Sequence, residues 1–236
     1  MKIMKRFLLS LIIALTALLG LSGCESDAMG DISNEVYIID YGTVYTSTDV
    51  MNNKYSIRDD GIALLVISDF GYEVGTSAPM VNGDRVLINY NVIGDLAPTQ
   101  LPESCKAGYA IELNALIVLP CQQIVVSEPN TECSPVLINS LHVGKSHLDL
   151  RLDYKSIGNK KHEFKLYCPN PDEEIAHLYL VHYGDTDKSD DGVMVTSHRI
   201  SFNIEALRTT SRRMFTLHWI GLEDAEKVHT GTLNAL

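Results

Sequence analysis

The feature that most constrains the fold is a regular alternation of apolar and polar side chains. From Leu148 to Tyr154 every second residue is apolar and the residues between are charged. The same alternation runs through Ile200–Glu205 and through Phe215–Trp219. Successive side chains of a strand point to opposite faces, so each segment predicts a strand of an antiparallel sheet with one buried and one solvated face. We expect the charged residues, Asp149 among them, to face water.

Ten segments carry this strand pattern. They are Val36–Thr46, Ile62–Ser68, Arg85–Ile93, Tyr109–Leu119, Ile124–Ser127, Leu148–Tyr154, His162–Tyr167, Leu178–Tyr183, Val193–Ile204 and Arg213–Ile220. Short strands at such spacing are typical of barrels and sandwiches. The one helical turn that we expect lies near Glu205–Arg213.

A break at Pro129–Pro135 divides the strands into two groups. This stretch begins and ends with proline and lacks apolar periodicity, so we place a domain boundary there. The strands of residues 35–130 fit a small closed barrel of the OB type. Those of residues 131–236 fit a sandwich. The predicted fold class is therefore all-β, with an N-terminal OB-like barrel followed by a C-terminal antiparallel β-sandwich.

The N-terminus has the composition of a secretory signal peptide over residues 1–23, with a basic start and an apolar run from Phe7 to Leu21. That run is shorter than the roughly 20 residues that span a bilayer, which disfavours a transmembrane helix. The ending Leu21–Ser22–Gly23–Cys24 resembles the lipobox of bacterial lipoproteins, whose cysteine is acylated after cleavage; an ordinary signal peptide with a chance cysteine is the alternative. We expect lipid attachment at Cys24 and a flexible tether over residues 24–34.

Charge disfavours one class of partner. The net charge is −11, and removal of residues 1–23 deletes three basic residues and takes it to −14. Against 15 acidic residues, residues 24–130 contain only Lys54, Arg58, Arg85 and Lys106 as basic residues. Phosphate backbones require a positive surface, so we expect no nucleic-acid binding. Membrane contact is expected through the N-terminal lipid alone, and a glycan or a protein is the ligand class left open.

Four cysteines remain besides Cys24, namely Cys105, Cys121, Cys133 and Cys168. Outside the cytoplasm they can form two disulfides, with three possible connectivities, or stay as free thiols. We expect Cys121 and Cys133 to pair first, because they flank a predicted strand and its exit loop. No C-x-x-C pair occurs in the sequence, so neither a redox motif nor a zinc knuckle is indicated.

No motif predicts a catalytic residue, a bound cofactor or a metal ligand. Asp185–Gly192 is rich in acidic residues but lacks the glycine and glutamate of an EF-hand loop, so calcium binding stays open beside a solvated turn. His162–Glu163 and Glu174–His177 resemble fragments of zinc and di-iron helix motifs, but they lie in or beside predicted strands. The sequence contains neither Gly-x-Ser-x-Gly nor Ser-x-x-Lys.

Histidines and arginines outside these motifs have ordinary explanations. His177 and His182 are five residues apart, which places them on opposite faces of one strand. We expect all eight histidines to be solvated or hydrogen-bonded. Arg208, Arg212 and Arg213 are expected to form a solvated rim.

Several segments together resemble the NigD-like lipoproteins of Gram-negative bacteria. Besides the lipobox they are Gly83–Tyr90, His162-x-Phe164-x-Leu166, Leu178-x-Leu180-x-His182 and Ile200–Ser201–Phe202-x-Ile204. The turn Tyr183–Gly184–Asp185 departs from the asparagine-containing turn frequent in that family. The resemblance implies an OB domain followed by a β-sandwich, and it implies no established activity.

These observations favour a non-enzymatic lipoprotein of the cell envelope that acts as a binding or interaction module. The protein is expected to be exported and lipid-anchored, with the outer membrane as the expected site. Two alternatives remain: an envelope hydrolase with a site between the domains, and a bacteriocin-related accessory lipoprotein, which only the family name suggests.

Overall fold

Five strands of the first half form a closed barrel. The structure, a computed structural model, describes residues 38–46, 54–69, 81–129, 133–157, 161–184, 193–209 and 213–233. The barrel strands are β1 (Ile38–Thr46), β2 (Lys54–Arg58), β3 (Ala63–Asp69), β4 (Arg85–Asp95) and β5 (Gly108–Val118). They are hydrogen-bonded in the order β1-β2-β3-β5-β4, and β4 pairs with β1 to close the barrel. This is the architecture expected of an OB-like domain.

Eight further strands form a sandwich of two four-stranded sheets. They are β6 (Cys121–Gln123), β7 (Leu137–Val143), β8 (His147–Ile157), β9 (Glu163–Tyr167), β10 (Ile175–Tyr183), β11 (Val193–Asn203), β12 (Arg213–Ile220) and β13 (Glu226–Leu233). One sheet has the order β6-β11-β8-β7 and the other β13-β12-β10-β9. The pairs β6/β11 and β10/β12 are parallel, and the other sandwich pairs are antiparallel. The predicted all-β class, barrel then sandwich, is confirmed.

The alternation seen in the sequence places the larger core between the two sheets. Leu148, Leu150 and Leu152 of β8 are at most 1% exposed and belong to one cluster with Phe215 and Leu217 of β12. Burying a side chain of this size stabilises the fold by roughly 1.5–3 kcal/mol. The barrel has its own core, and both regions belong to one compact unit, Tyr37–Leu236.

Several short elements differ from the sequence expectation. β2, β7 and β13 are not among the ten predicted segments. β2 alternates over only five residues, and β7 and β13 lack a clear alternation. The expected strand Ile124–Ser127 is wrong: the strand lies at Cys121–Gln123, and beyond it Val125 makes a single bridge to Tyr167. A helical turn does occur within the expected segment, as a 3-10 turn at Glu205–Leu207.

The strands of the sandwich begin before the expected domain boundary at 130/131. Ser201–Asn203 of β11 pairs with Cys121–Gln123, so β6 belongs to the sandwich sheet. Where the chain divides into independently folding units stays a prediction.

The expected Cys121–Cys133 disulfide is wrong, because Cys105, Cys121, Cys133 and Cys168 are all free thiols. Cys105 and Cys168 are buried and pack as small apolar groups within the two cores.

Several expectations concern residues outside those that the structure describes. They are the signal peptide over residues 1–23, the lipid-bearing Cys24, the tether over 24–34 and the acidic loop Asp185–Gly192. Within the described ranges, no helix has the length and apolar character needed to cross a membrane.

Candidate functional site

A buried arginine joins the barrel to the sandwich. Arg85 is the first residue of β4, and its Nη1 and Nη2 donate to Oδ1 and Oδ2 of Asp59 at 2.8 and 2.7 Å. On the other side, Nη2 and Nε donate to Oδ2 and Oδ1 of Asp149 in β8 at 2.6 and 3.1 Å. One guanidinium therefore holds a barrel carboxylate and a sandwich carboxylate, each in a two-point contact.

This cluster explains why Asp149 does not face water as expected. The side chains of Arg85 and Asp149 are 0% and 1% exposed, because the barrel covers this end of β8. Buried charges require close partners, and here each charge has one. Burial by itself would raise the pKa of Asp59, but hydrogen bonds from His142 and Arg85 outweigh it and hold that pKa far below its usual range.

Two further side chains enclose the arginine. His142 Nε2 lies 2.9 Å from Asp59 Oδ2, and its ring stacks on Tyr41 with the centroids 4.5 Å apart. The Tyr41 ring also lies 5.5 Å from the guanidinium carbon of Arg85. Gly144 leaves room for this arrangement: a Cβ there would approach Asp59 Oδ2 to 2.3 Å.

The junction, where barrel and sandwich meet at Arg85, contains side chains of the types that bind metal ions. Arg85, however, already supplies the positive charge between them. Asp59, His142 and Asp149 place their ligand atoms within 4.8 Å of one another. The Arg85 guanidinium already binds both carboxylates, so a divalent ion would meet its positive charge at close range. The arrangement is that of a structural ion cluster.

A serine–histidine contact near the junction lacks what a hydrolase requires. Ser146 Oγ and His147 Nδ1 lie 2.9 Å apart. A catalytic histidine is oriented by a carboxylate, whereas Asp59 and Asp149 are both bound to Arg85. Burial, and then the positive charge of Arg85, lower the pKa of His147, which weakens it as a base.

A second histidine cluster lies inside one end of the sandwich. His182 is fully buried, its Nε2 lies 2.9 Å from His162 Nδ1, and its ring stacks on Phe164 at 4.5 Å. Burial, and then the neighbouring His162, lower the pKa of His182 to about 4. His198 stacks on the same Phe164, and burial lowers its pKa as well. His182 is therefore a neutral core residue at neutral pH.

The outer face of the sheet β13-β12-β10-β9 carries a group of tyrosine and histidine rings. We call this set the tyrosine–histidine patch; it comprises Tyr167, His177, Tyr179, Tyr183 and His218. Tyr179 stacks on His218 with centroids 4.7 Å apart, and the hydroxyls of Tyr167 and Tyr183 are 2.7 Å apart. His218 also lies close to His177 and Glu226. These contacts hold the rings in fixed orientations on a half-exposed surface.

A pocket of about 180 Å³ opens at the edge of this patch. Its lining is mainly apolar and includes Cys133, Tyr179, Val181, Trp219, Ile220 and Glu226. A cavity of about 150 Å³ holds benzene, so the pocket has room for one ring or one branched side chain. The pocket and the patch of fixed rings beside it together form the candidate binding surface.

The structure brings together residues that the sequence left apart. Among the barrel tyrosines, Tyr55 and Tyr90 are core residues, and Tyr41 lies in the junction between barrel and sandwich. The patch was missed because its rings are spread over three strands, and only strand order shows that Tyr179 and His218 are neighbours. Arg213, expected in a solvated rim, is buried and donates to the carbonyl oxygens of Leu207 and Glu173.

Comparison with known proteins identifies the fold class. No protein-family model and no curated protein matches the sequence. A toxin-related protein from Parabacteroides distasonis aligns with a TM-score of 0.62 at 20% identity, over 85% of this chain and 94% of its own. A lipoprotein from Bacteroides fragilis aligns with a TM-score of 0.54 at 14% identity, over 85% of this chain and 99% of its own. A NigD-like immunity protein from Bacteroides caccae aligns with a TM-score of 0.52 at 16% identity, over 85% of this chain and 94% of its own.

At these identities the likeness establishes the shared fold. Because a NigD-like protein and a lipoprotein are among the similar structures, the resemblance seen in the sequence is confirmed at that level. The segment Gly83–Tyr90, one of those that carry the resemblance, also gains a physical explanation. Gly83 has a φ of +94°, Arg85 ties barrel to sandwich, and Tyr90 OH donates to Asp40 inside the barrel at 2.7 Å.

Proposed function

We propose that this protein is a lipid-anchored module of the cell envelope that binds a polypeptide through the pocket and tyrosine–histidine patch of its sandwich. The observation that carries the proposal is the apolar pocket of about 180 Å³ beside fixed aromatic rings. Interfaces between proteins draw most of their affinity from a few side chains inserted into such pockets.

The distribution of titratable groups favours binding over catalysis. Catalysis needs a group that is both reachable and free to exchange a proton. The junction carboxylate Asp59 is held by Arg85 and His142, and His182 is fully buried. At the pocket, Nδ1 of His218 is held by the carboxylate of Glu226 at 2.9 Å.

The size and lining of the pocket favour a polypeptide over a glycan. A sugar ring carries hydroxyl groups on its rim, and burying them without partners costs free energy. The pocket walls formed by Val181, Trp219 and Ile220 are apolar, so an apolar or aromatic side chain fits them better. The net charge of −11 favours a partner that is neutral or basic around that side chain.

The similar structures agree with this proposal. One of them is named a NigD-like immunity protein and another a toxin-related protein. The lipobox at Cys24 would hold the module at the membrane surface, where it meets its partner.

Two small probes distinguish the ligand classes on the full chain. We would record NMR spectra during titration with N-acetyl-phenylalanine amide and, separately, with methyl β-glucoside. The amide should shift the Trp219 indole signal with millimolar affinity, and the glucoside should not. Ile220→Glu, which places a charge in the pocket, should abolish the shift.

Val195→Glu is the matched control, since Val195 is 68% exposed on the other sheet; this variant should bind like the wild type. Saturable shifts from the glucoside alone would replace the polypeptide by a glycan. Saturable shifts from neither probe would contradict the proposal.

A further inference from the structure

Two histidines from neighbouring strands point ring nitrogens at each other on the outer face of the sandwich. His177 belongs to β10 and His218 to β12, and these strands run parallel with Thr216 opposite His177. The Nδ1 of His177 and the Nε2 of His218 lie 3.3 Å apart. This separation is at the long end of hydrogen-bond distances, since bonds from N–H donors to oxygen are usually about 2.9–3.0 Å.

A carboxylate orients one member of this pair. His218 Nδ1 lies 2.9 Å from Glu226 Oε1. Because an ionised carboxylate only accepts hydrogen bonds, the Nδ1–H group of His218 is the donor in this contact. The other nitrogen of a neutral imidazole then has a bare lone pair. In His218 that is Nε2, the atom that faces His177. The ring cannot swing freely, because Tyr179 stacks on it with a tilt of 16°.

We propose that His177 and His218 form a binding site for a divalent transition-metal ion, with Glu226 as the outer carboxylate that orients His218. Zinc binds imidazole nitrogens at about 2.0–2.1 Å, and two ligands of a tetrahedral shell are then separated by about 3.3–3.4 Å. The observed nitrogen separation matches that value. A carboxylate on the second nitrogen of a metal-binding histidine is the usual supporting contact.

The surroundings leave access for the ion and for further ligands. The His218 side chain is 18% exposed and Glu226 is 62% exposed, so water can complete the coordination shell. The negatively charged Glu226 and the net charge of −11 favour a cation here. Imidazole ligands suit zinc, copper and nickel ions.

The other histidine pair of the sandwich shows why this pair is distinguished. His162 and His182 also face each other, but their nitrogens are 2.9 Å apart, which is hydrogen-bond distance. His182 is fully buried among aromatic rings, so water could not complete a coordination shell there. The proposed site shares His218 and Glu226 with the lining of the pocket, whereas His177 lies outside that lining. Zinc binding by the chain without any peptide therefore tests the metal site separately from the polypeptide-binding function.

Calorimetric titration of the metal-free full chain with zinc chloride tests the proposal. We expect one zinc ion per chain. His177→Ala and His218→Ala should each weaken binding at least tenfold. Glu226→Gln should weaken it by about tenfold, the lower end of what loss of an outer carboxylate costs. His229→Ala, an exposed histidine on the neighbouring strand β13, is the matched control and should bind like the wild type.

His142→Ala supplies the second control, because it probes the junction cluster of Asp59, His142 and Asp149. The proposal predicts unchanged zinc affinity in this variant. Loss of binding in His142→Ala, retention of wild-type affinity in His177→Ala, or absence of binding by the wild type would each overturn it.

Discussion

Arg85 and Asp149 are 64 positions apart in the chain, and two hydrogen bonds of 2.6 and 3.1 Å join them across the barrel–sandwich junction. Neither side chain contacts solvent to more than 1% of its surface. The contact holds the barrel and the sandwich in a defined mutual orientation, because a guanidinium binds a carboxylate at a fixed geometry.

Arg85→Met should destabilise the protein by about 3–5 kcal/mol, since it leaves the carboxylate of Asp149 buried without a partner. Chemical denaturation monitored by tryptophan fluorescence measures this free energy of unfolding. Arg58→Met is the control: Arg58 is 25% exposed and pairs with Asp40 and Asp60 at the surface, so its loss should cost no more than about 1 kcal/mol. Equal losses in the two variants would contradict the account of the junction.

Gly144→Ala should disturb the same cluster by steric overlap. Its Cβ would lie 2.3 Å from Asp59 Oδ2 and 2.9 Å from Arg85 Nη2. Overpacking of this kind costs about 1–3 kcal/mol. Gly94→Ala in β4 is the matched control, because nothing lies within 4 Å of its Cβ. Thermal unfolding should show a lower midpoint for Gly144→Ala alone, and equal midpoints would show that the cluster has more room than described.

Stability should fall as the solution is acidified from pH 6.5 toward pH 4. The pKa of His182 is about 4 in the fold and about 6.5 in the unfolded chain, so within this window the unfolded state binds a proton that the folded state does not. The resulting loss in free energy of unfolding is small above pH 6.5 and reaches roughly 3 kcal/mol near pH 4.

His182→Phe keeps a ring stacked on Phe164 and removes the titrating group. The difference in free energy of unfolding between wild type and variant, measured from pH 7 to pH 4, should therefore change with pH by about this amount. A difference that stays constant with pH would show that His182 does not titrate in this window.

How much of this could be predicted from the sequence depends on the range of the signal. The strands Leu148–Tyr154 and Arg213–Ile220 can be predicted from local sequence, because alternation is a property of neighbouring residues. The burial of Asp149 depends on the barrel docking onto β8, and no local pattern contains that information. The His177–His218 contact likewise follows from a parallel pairing of β10 with β12 that sequence spacing does not encode.

Cys24→Ala should leave the protein without a lipid anchor. The lipobox places acylation and cleavage at this residue, and loss of the thiol removes the attachment point. Intact-mass spectrometry of the membrane fraction should find acyl chains on Cys24 of the wild type and an uncleaved, unacylated chain in the variant. An unmodified Cys24 in mature wild-type protein would refute lipidation.

The most direct test of the central claim, that the sandwich pocket binds a polypeptide side chain, is selection from a phage-displayed library of random peptides. The full-length wild type should enrich sequences that share one aromatic or branched apolar residue with basic neighbours. Val195→Glu should enrich the same sequences, and Ile220→Glu should not. Identical enrichment by Ile220→Glu and wild type, or no enrichment by either, would contradict the claim.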